Sequence, residues 1–105
     1  MILYNVTVNI DESVEKEWLQ WMGEVHIPDV LNTKLFVSAK ICRIHAEEVG
    51  GSSYSVQYFA KNMEDYNTYQ NDYSSDLQKE HTKKYQGKFA AFRTILEVIQ
   101  EFKFY

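Results

Sequence analysis

Ten residues at the start of the chain alternate without interruption. Ile2, Tyr4, Val6, Val8 and Ile10 fall on one side, and Leu3, Asn5, Thr7 and Asn9 on the other. Successive side chains of an extended backbone point to opposite faces, so this segment is a strand with one wholly apolar face that something must cover. A helix follows at once. Asp11 or Ser13 can cap it, and acidic residues in the first turn suit its dipole. Val14, Trp18, Trp21, Met22 and Val25 form one helical stripe, with Glu15, Lys16, Gln20 and Glu24 opposite. Pro28 disfavours helical backbone at Ile27, which predicts an end near His26 and at most one further turn over Asp29 to Leu31.

Phe36 to Glu48 is predicted as a second strand and Tyr54 to Lys61 as a third. The paired glycines of Glu48–Ser52 make the turn between them. Tyr54, Val56, Tyr58 and Ala60 share a face. Met63 to about Gln86 reads as a second helix whose stripe is Tyr66, Tyr69, Tyr73, Leu77, His81 and Tyr85, closed by Gly87. Lys88 to Phe104 is predicted as a final strand, far longer than the usual ~5–6 residues.

The order is therefore βαββαβ, a ferredoxin-like α+β plan: one domain over residues 1–105, with a four-stranded antiparallel sheet and two helices on one face. The last strand carries large apolar groups on both sides, Ile95 and Ile99 against Phe92, Leu96, Val98 and Phe102. One chain supplies one cover layer, so a second copy across a two-fold axis is the expected source of the other. A homodimer would also relieve the poor surface-to-volume ratio of so small a domain.

Composition removes several function classes. Net charge is −4, against the clustered Lys and Arg that nucleic-acid phosphates require. Cys42 is the single cysteine, so there is no internal disulfide and no four-thiolate zinc spacing, and a reducing cytoplasm fits. No window approaches the ~20 apolar residues of a membrane span. There is no HExxH spacing, glycine-rich phosphate loop or Ser-His-Asp order, and no cofactor or metal is expected.

The segments YNVTVNID, WLQWMGEVHIPDVL, LFVSAKICRI, YSVQYFA and GKFAAFRTILEV cover nearly the whole chain. Together they resemble a bacterial family, a domain of unknown function, within the dimeric α/β-barrel superfamily. The resemblance implies a ferredoxin-like protomer whose sheet packs face to face with its mate's. It also implies a pocket between sheet and helices, as in antibiotic-biosynthesis monooxygenases, muconolactone isomerases and stress-responsive barrel proteins. It implies no activity and carries across no catalytic residue.

The side chains able to do chemistry each have a plainer reading. His26, at the expected helix end, could act as a base or hold an anion, or could simply bond the last carbonyls. His81 could face it across a cleft, or stand partly exposed near its own helix end. Tyr4, Tyr58, Tyr66, Tyr69 and Tyr73 could line a pocket for an aromatic ligand, or form a core whose hydroxyls reach water. Arg43, Arg93 and Glu97 could hold a ligand carboxylate or pair across the dimer. Cys42 reads as a small core residue. Candidate ligand-binding residues are thus His26, Tyr4, Tyr58, Tyr73 and His81. The expected function is binding of a small (aromatic) molecule between helices and sheet. The alternatives are a non-catalytic dimeric interaction module and a cofactor-free monooxygenase-like or isomerase-like enzyme.

Overall fold

The alternation at the start becomes strand β1 (Ile2–Asp11), which lies inside the sheet. In the computed structural model, which describes residues 1–105, β1 pairs antiparallel with β3 (Gly51–Ala60) on one side and β4 (Phe89–Glu97) on the other. Strand β2 (Ser38–Arg43) adds to the outer edge of β3, so the order is β2-β3-β1-β4. Tyr4 lies opposite Tyr58 and Ile95, and Val8 opposite Tyr54 and Ala91. The apolar face of β1 is therefore continuous with Tyr54, Val56, Tyr58 and Ala60 of β3, all buried. At ~1.5–3 kcal/mol for each large apolar side chain fully buried, this face is the main source of stability. The α+β, ferredoxin-like architecture expected from the order of periodicities is the one observed.

The first helical run is longer than expected. Helix α1 (Glu15–Trp21) passes into a π-helical turn (Met22–His26) and on into α2 (Ile27–Leu31) without a break. The run does not end at His26. Ile27 keeps helical angles, and its N–H reaches the Met22 carbonyl, five residues back. In an α-helix the Pro28 ring would meet the carbonyl four residues before it; the wider turn relieves that contact. The same turn rotates the stripe. Val25, expected inward, is 38% exposed, and His26 and the buried Val30 take the inward line from Met22. Neither Asp11 nor Ser13 caps the helix. The Asp11 carboxylate instead accepts from the Ser13 N–H (2.8 Å) and hydroxyl (2.6 Å) in the turn before it.

The second helix is two. Helix α3 (Met63–Asp72) is capped by Asn62, whose side-chain oxygen accepts from the Asp65 N–H at 2.8 Å. The backbone breaks at Tyr73 (φ −126°, ψ −34°), and α4 (Ser74–Tyr85) follows. Ser74 Oγ donates to the Gln70 carbonyl (2.8 Å), a side-chain bond that competes with the helical ladder at the break. Tyr73 is swung out of the stripe and is 42% exposed, whereas Tyr69, His81 and Tyr85 are buried. Gly87 closes α4 at φ +78°, as its position predicts.

Two strands are shorter than expected. Strand β2 begins at Ser38 because Phe36 turns into the core against Tyr58 (5.4 Å) and Tyr69 (4.8 Å). It ends at Arg43, before the acidic, strand-averse His45–Glu48. Strand β4 ends at Glu97: the last ladder bond is Val98 N–H to the Met1 carbonyl, and no strand lies beside residues 99–105.

The helix-free face is mixed, polar and apolar, as the alternation predicts. One end carries a polar ladder in which Ser55 donates to Asn5, Gln57 to Ser55 (3.0 Å) and Asn9 to Ser53 (3.2 Å). Apolar side chains remain on this face at the other end, with Leu3 between Phe59 and Leu96, and at Phe92, which lies opposite Thr7 beside the polar ladder. Phe92 is 64% exposed and Leu96 49%. No helix is long and apolar enough to cross a membrane.

Candidate functional site

Three layers of the fold meet behind β4. Strands β1, β3 and β4 form the floor, Met22 and His26 of the π-helical turn one wall, and Tyr69 of α3 with Gln78 and His81 of α4 the other. They enclose a cavity of about 40 Å³. It is small because the chain's own rings fill the space beside it: Tyr4 stacks on Tyr58 (5.8 Å) and lies 5.9 Å from Tyr69.

His81 is buried and held from several sides. The Trp18 indole N–H donates to its Nε2 at 2.9 Å, Phe89 meets it edge-on at 4.5 Å, and His26 lies 5.7 Å away. An Nε2 that accepts from an indole carries no proton, so the ring is the neutral tautomer with its proton on Nδ1. His26 stacks on Trp21 at 5.1 Å, and its buried Nδ1 has no hydrogen-bond partner. Burial lowers the pKa of both imidazoles to about 4. Asp29 works against that shift at His26, whereas His26 itself and Arg93 add to it at His81. Burial likewise pushes the Tyr58 and Tyr69 hydroxyls far above their ordinary range.

Arg93 supplies the charge. Its Nε–H donates to the Tyr4 hydroxyl at 3.2 Å, and no carboxylate lies within ion-pair distance. Neither Asp nor Glu lines the cavity. Arg43 differs: it pairs with Glu15 at 3.2 Å and lies over the Tyr54 ring at 5.0 Å, while the Tyr54 hydroxyl also donates to Glu15. That cluster ties α1 to β2 and β3 and pairs the Arg43 charge within the chain.

Of the residues singled out from sequence, the fold brings Tyr4, Tyr58, His26 and His81 around one cavity. Tyr73 is elsewhere, beside Asp29, Asn32, Asp72 and Asp76 on a surface groove. His26 is no helix end bonding free carbonyls, and His81, at 8% exposure, is not partly exposed. Cys42 is half-buried on β2, on the helix-free side opposite Ser55. Gln78 had not been singled out; its signal was a position three residues before His81 on the same helical face. Of the two readings of Arg93, a ligand-carboxylate partner or an interface residue, the structure puts it on the cavity wall, a lone cation in the stripe Phe89, Ala91, Arg93, Ile95. No group of three or more His, Cys, Asp or Glu side chains is placed to hold a metal ion.

The chain belongs to a family described as a domain of unknown function (DUF4286), which it matches over residues 1–99. No curated protein matches it. Solved structures share the fold at low identity. A dimeric ferredoxin-like protein from an uncultured marine organism superposes with a TM-score of 0.74 at 19% identity, over 98% of this chain and 99% of that one. HapK from Hahella chejuensis gives 0.71 at 8% identity, over 100% and 99%. An ethyl tert-butyl ether D family protein from Bacillus halodurans gives 0.64 at 13% identity, over 94% and 100%.

Proposed function

We propose that this protein is a homodimer in which each protomer binds a small molecule in the cavity between helices and sheet. The observation that carries the reading is the convergence there of donors without protein partners. The buried Nδ1 of His26 meets no acceptor or donor of the chain, and beside it the solvent-exposed terminal nitrogens of Arg93 and the His81 Nδ1–H make no bond within the protein. Buried polar groups are normally satisfied, so an orphaned one at a cavity suggests a missing occupant. Binding without proton transfer is the favoured form of the reading. An imidazole whose conjugate acid has a pKa of about 4 is a poor base near neutral pH, where general catalysis works best with a pKa close to the ambient value. A reducing compartment, the cytoplasm, suits the lone thiol of Cys42.

The dimer is supported by the exposed Phe92 and Leu96 of the helix-free face and by the marine ferredoxin-like protein of the same fold, which is dimeric by description. Light scattering on a size-exclusion column is expected to give about twice 12.4 kDa. Phe92→Lys combined with Leu96→Lys is expected to halve that mass, because two charges would then face an apolar contact. A wild-type mass of one chain at micromolar concentration would refute the assembly.

The cavity reading has its own test. Only two tryptophans are present, so the Trp18 indole N–H is an easily identified NMR signal beside His81. Small polar fragments at millimolar concentration are expected to move it in the wild type. They are expected not to move it in Ala91→Phe, where a ring would occupy the cavity floor. Fragments that act equally on both forms bind elsewhere, and the reading fails.

A further inference from the structure

Resting on that reading, we infer that the ligand is a short-chain carboxylate of about two or three carbons, its carboxylate bound by Arg93 and Tyr4. The lining is biased in sign and in kind. It offers one cation, three phenols, two imidazoles held neutral, an amide and no acid. A ligand bearing a cation would meet the Arg93 guanidinium and nothing to balance it. A neutral one would leave that exposed guanidinium to water and gain nothing from its charge. A carboxylate matches the planar guanidinium fork with two parallel hydrogen bonds, and such charge-assisted pairs are about twice as strong as neutral ones.

The Tyr4 hydroxyl strengthens the match. It already accepts from Arg93 Nε at 3.2 Å, so its own proton is free to be donated into the cavity. One carboxylate oxygen could then accept from both Tyr4 and Arg93. His26 Nδ1, buried and unpartnered, adds a donor in the tautomer that places a proton on it.

Volume sets the length. The cavity of about 40 Å³ is roughly three times what one water requires, ~10–15 Å³. An aromatic ring needs on the order of 150 Å³. The chain's own Tyr4, Tyr58 and Tyr69 take up the space a ring would use, so the aromatic ligand that the tyrosine count suggested does not fit. An acid of two or three carbons does, with its carboxylate at the exposed Arg93 and only its tail in the cavity, against Met22, Val8 and Ala91.

The experiment is a titration of the dimer of residues 1–105 at pH 7 with propionate, propionamide and inorganic phosphate, followed through the Trp18 indole signal. Propionate is expected to shift it saturably, propionamide to leave it unmoved, and phosphate to act at least tenfold more weakly. Arg93→Gln is expected to weaken propionate at least tenfold while the Trp18 signal stays in its folded position. Arg93 is exposed, so that variant should fold. If propionamide binds as well as propionate, the carboxylate assignment is wrong but the cavity still takes ligands. If phosphate binds as tightly, the site takes anions of any shape and the planar fork is not what it reads. If none of the three probes moves the signal, the carboxylate assignment is overturned. If the fragments also act alike on the wild type and Ala91→Phe, the cavity reading falls with it.

Discussion

Acidification from pH 7 to pH 4 is expected to remove roughly 3–6 kcal/mol of folding free energy, with the loss set by His26 and His81. Each imidazole has its pKa lowered by burial from 6.5 to about 4 in the folded protein. At 1.36 kcal/mol per unit, each shift corresponds to roughly 3 kcal/mol. The pair yields less than the simple sum because His26 is only half-buried and part of the His81 shift is repulsion from His26. Between pH 6.5 and 4 the unfolded chain binds protons that the folded one does not, so stability is complete above pH 6.5. It falls steadily as pH drops and levels off below about 4. Asp29 faces His26 and softens the fall, while Arg93 faces His81 and deepens it. Asp11 and Glu15 are held below the ordinary carboxylate range by hydrogen bonds from Ser13 and Tyr54, so they add losses only toward the acid end of this window. Urea unfolding at fixed protein concentration, repeated from pH 7 to pH 4, measures the slope. His81→Gln keeps an acceptor for the Trp18 indole and is expected to flatten the slope by about half. Stability that stays level between pH 6.5 and 4.5 would show that the imidazoles are hydrated.

Which parts of this fold could be read from residues follows from how local each determinant is. The faces of β1 and β3 depend only on a period of two within a strand, and Tyr4, Val8, Tyr54 and Tyr58 fell where the period put them. The element order then fixed the sheet, and the sheet brought residues from both helical runs over Tyr4 and Tyr58. The departures depend on neighbours that the pattern does not show. The length of β4 is set by how far β1 runs beside it, so apolar residues beyond Glu97 counted as strand without a partner to pair with. The π-helical turn follows from Pro28 meeting a helix that packing keeps intact, and it alone decides that His26 and not Val25 faces inward. Tyr73 left its stripe because Ser74 bonds back to Gln70. Arg93 was visible as a residue type. Its role at the cavity required knowing that no acid stands opposite, which is a property of three other elements.

Trp18→Ala is expected to cost about 3–5 kcal/mol, the range for deleting a large aromatic from a core. Trp18 is fully buried, and its ring meets Tyr54 at 5.1 Å and His81 at 6.4 Å. Two separable losses contribute. Removing the ring opens a void under α1 at its contact with the sheet. Removing the indole N–H leaves His81 Nε2 buried without a donor, which alone costs ~1–3 kcal/mol. Trp18→Phe isolates the second loss, since it keeps most of the ring and drops the donor, and about 1–2 kcal/mol is expected. Trp21, one turn on and only half-buried, should lose less when truncated to alanine. Denaturant midpoints followed by the fluorescence of the remaining tryptophan rank the three variants. The ranking matters beyond stability, because the same N–H fixes the tautomer of His81 and with it the donor that faces the cavity. If Trp18→Ala costs no more than Trp21→Ala, then α1 is not anchored through Trp18. His81 would then be free to rotate, and the cavity wall it forms would have no defined polarity to offer a carboxylate.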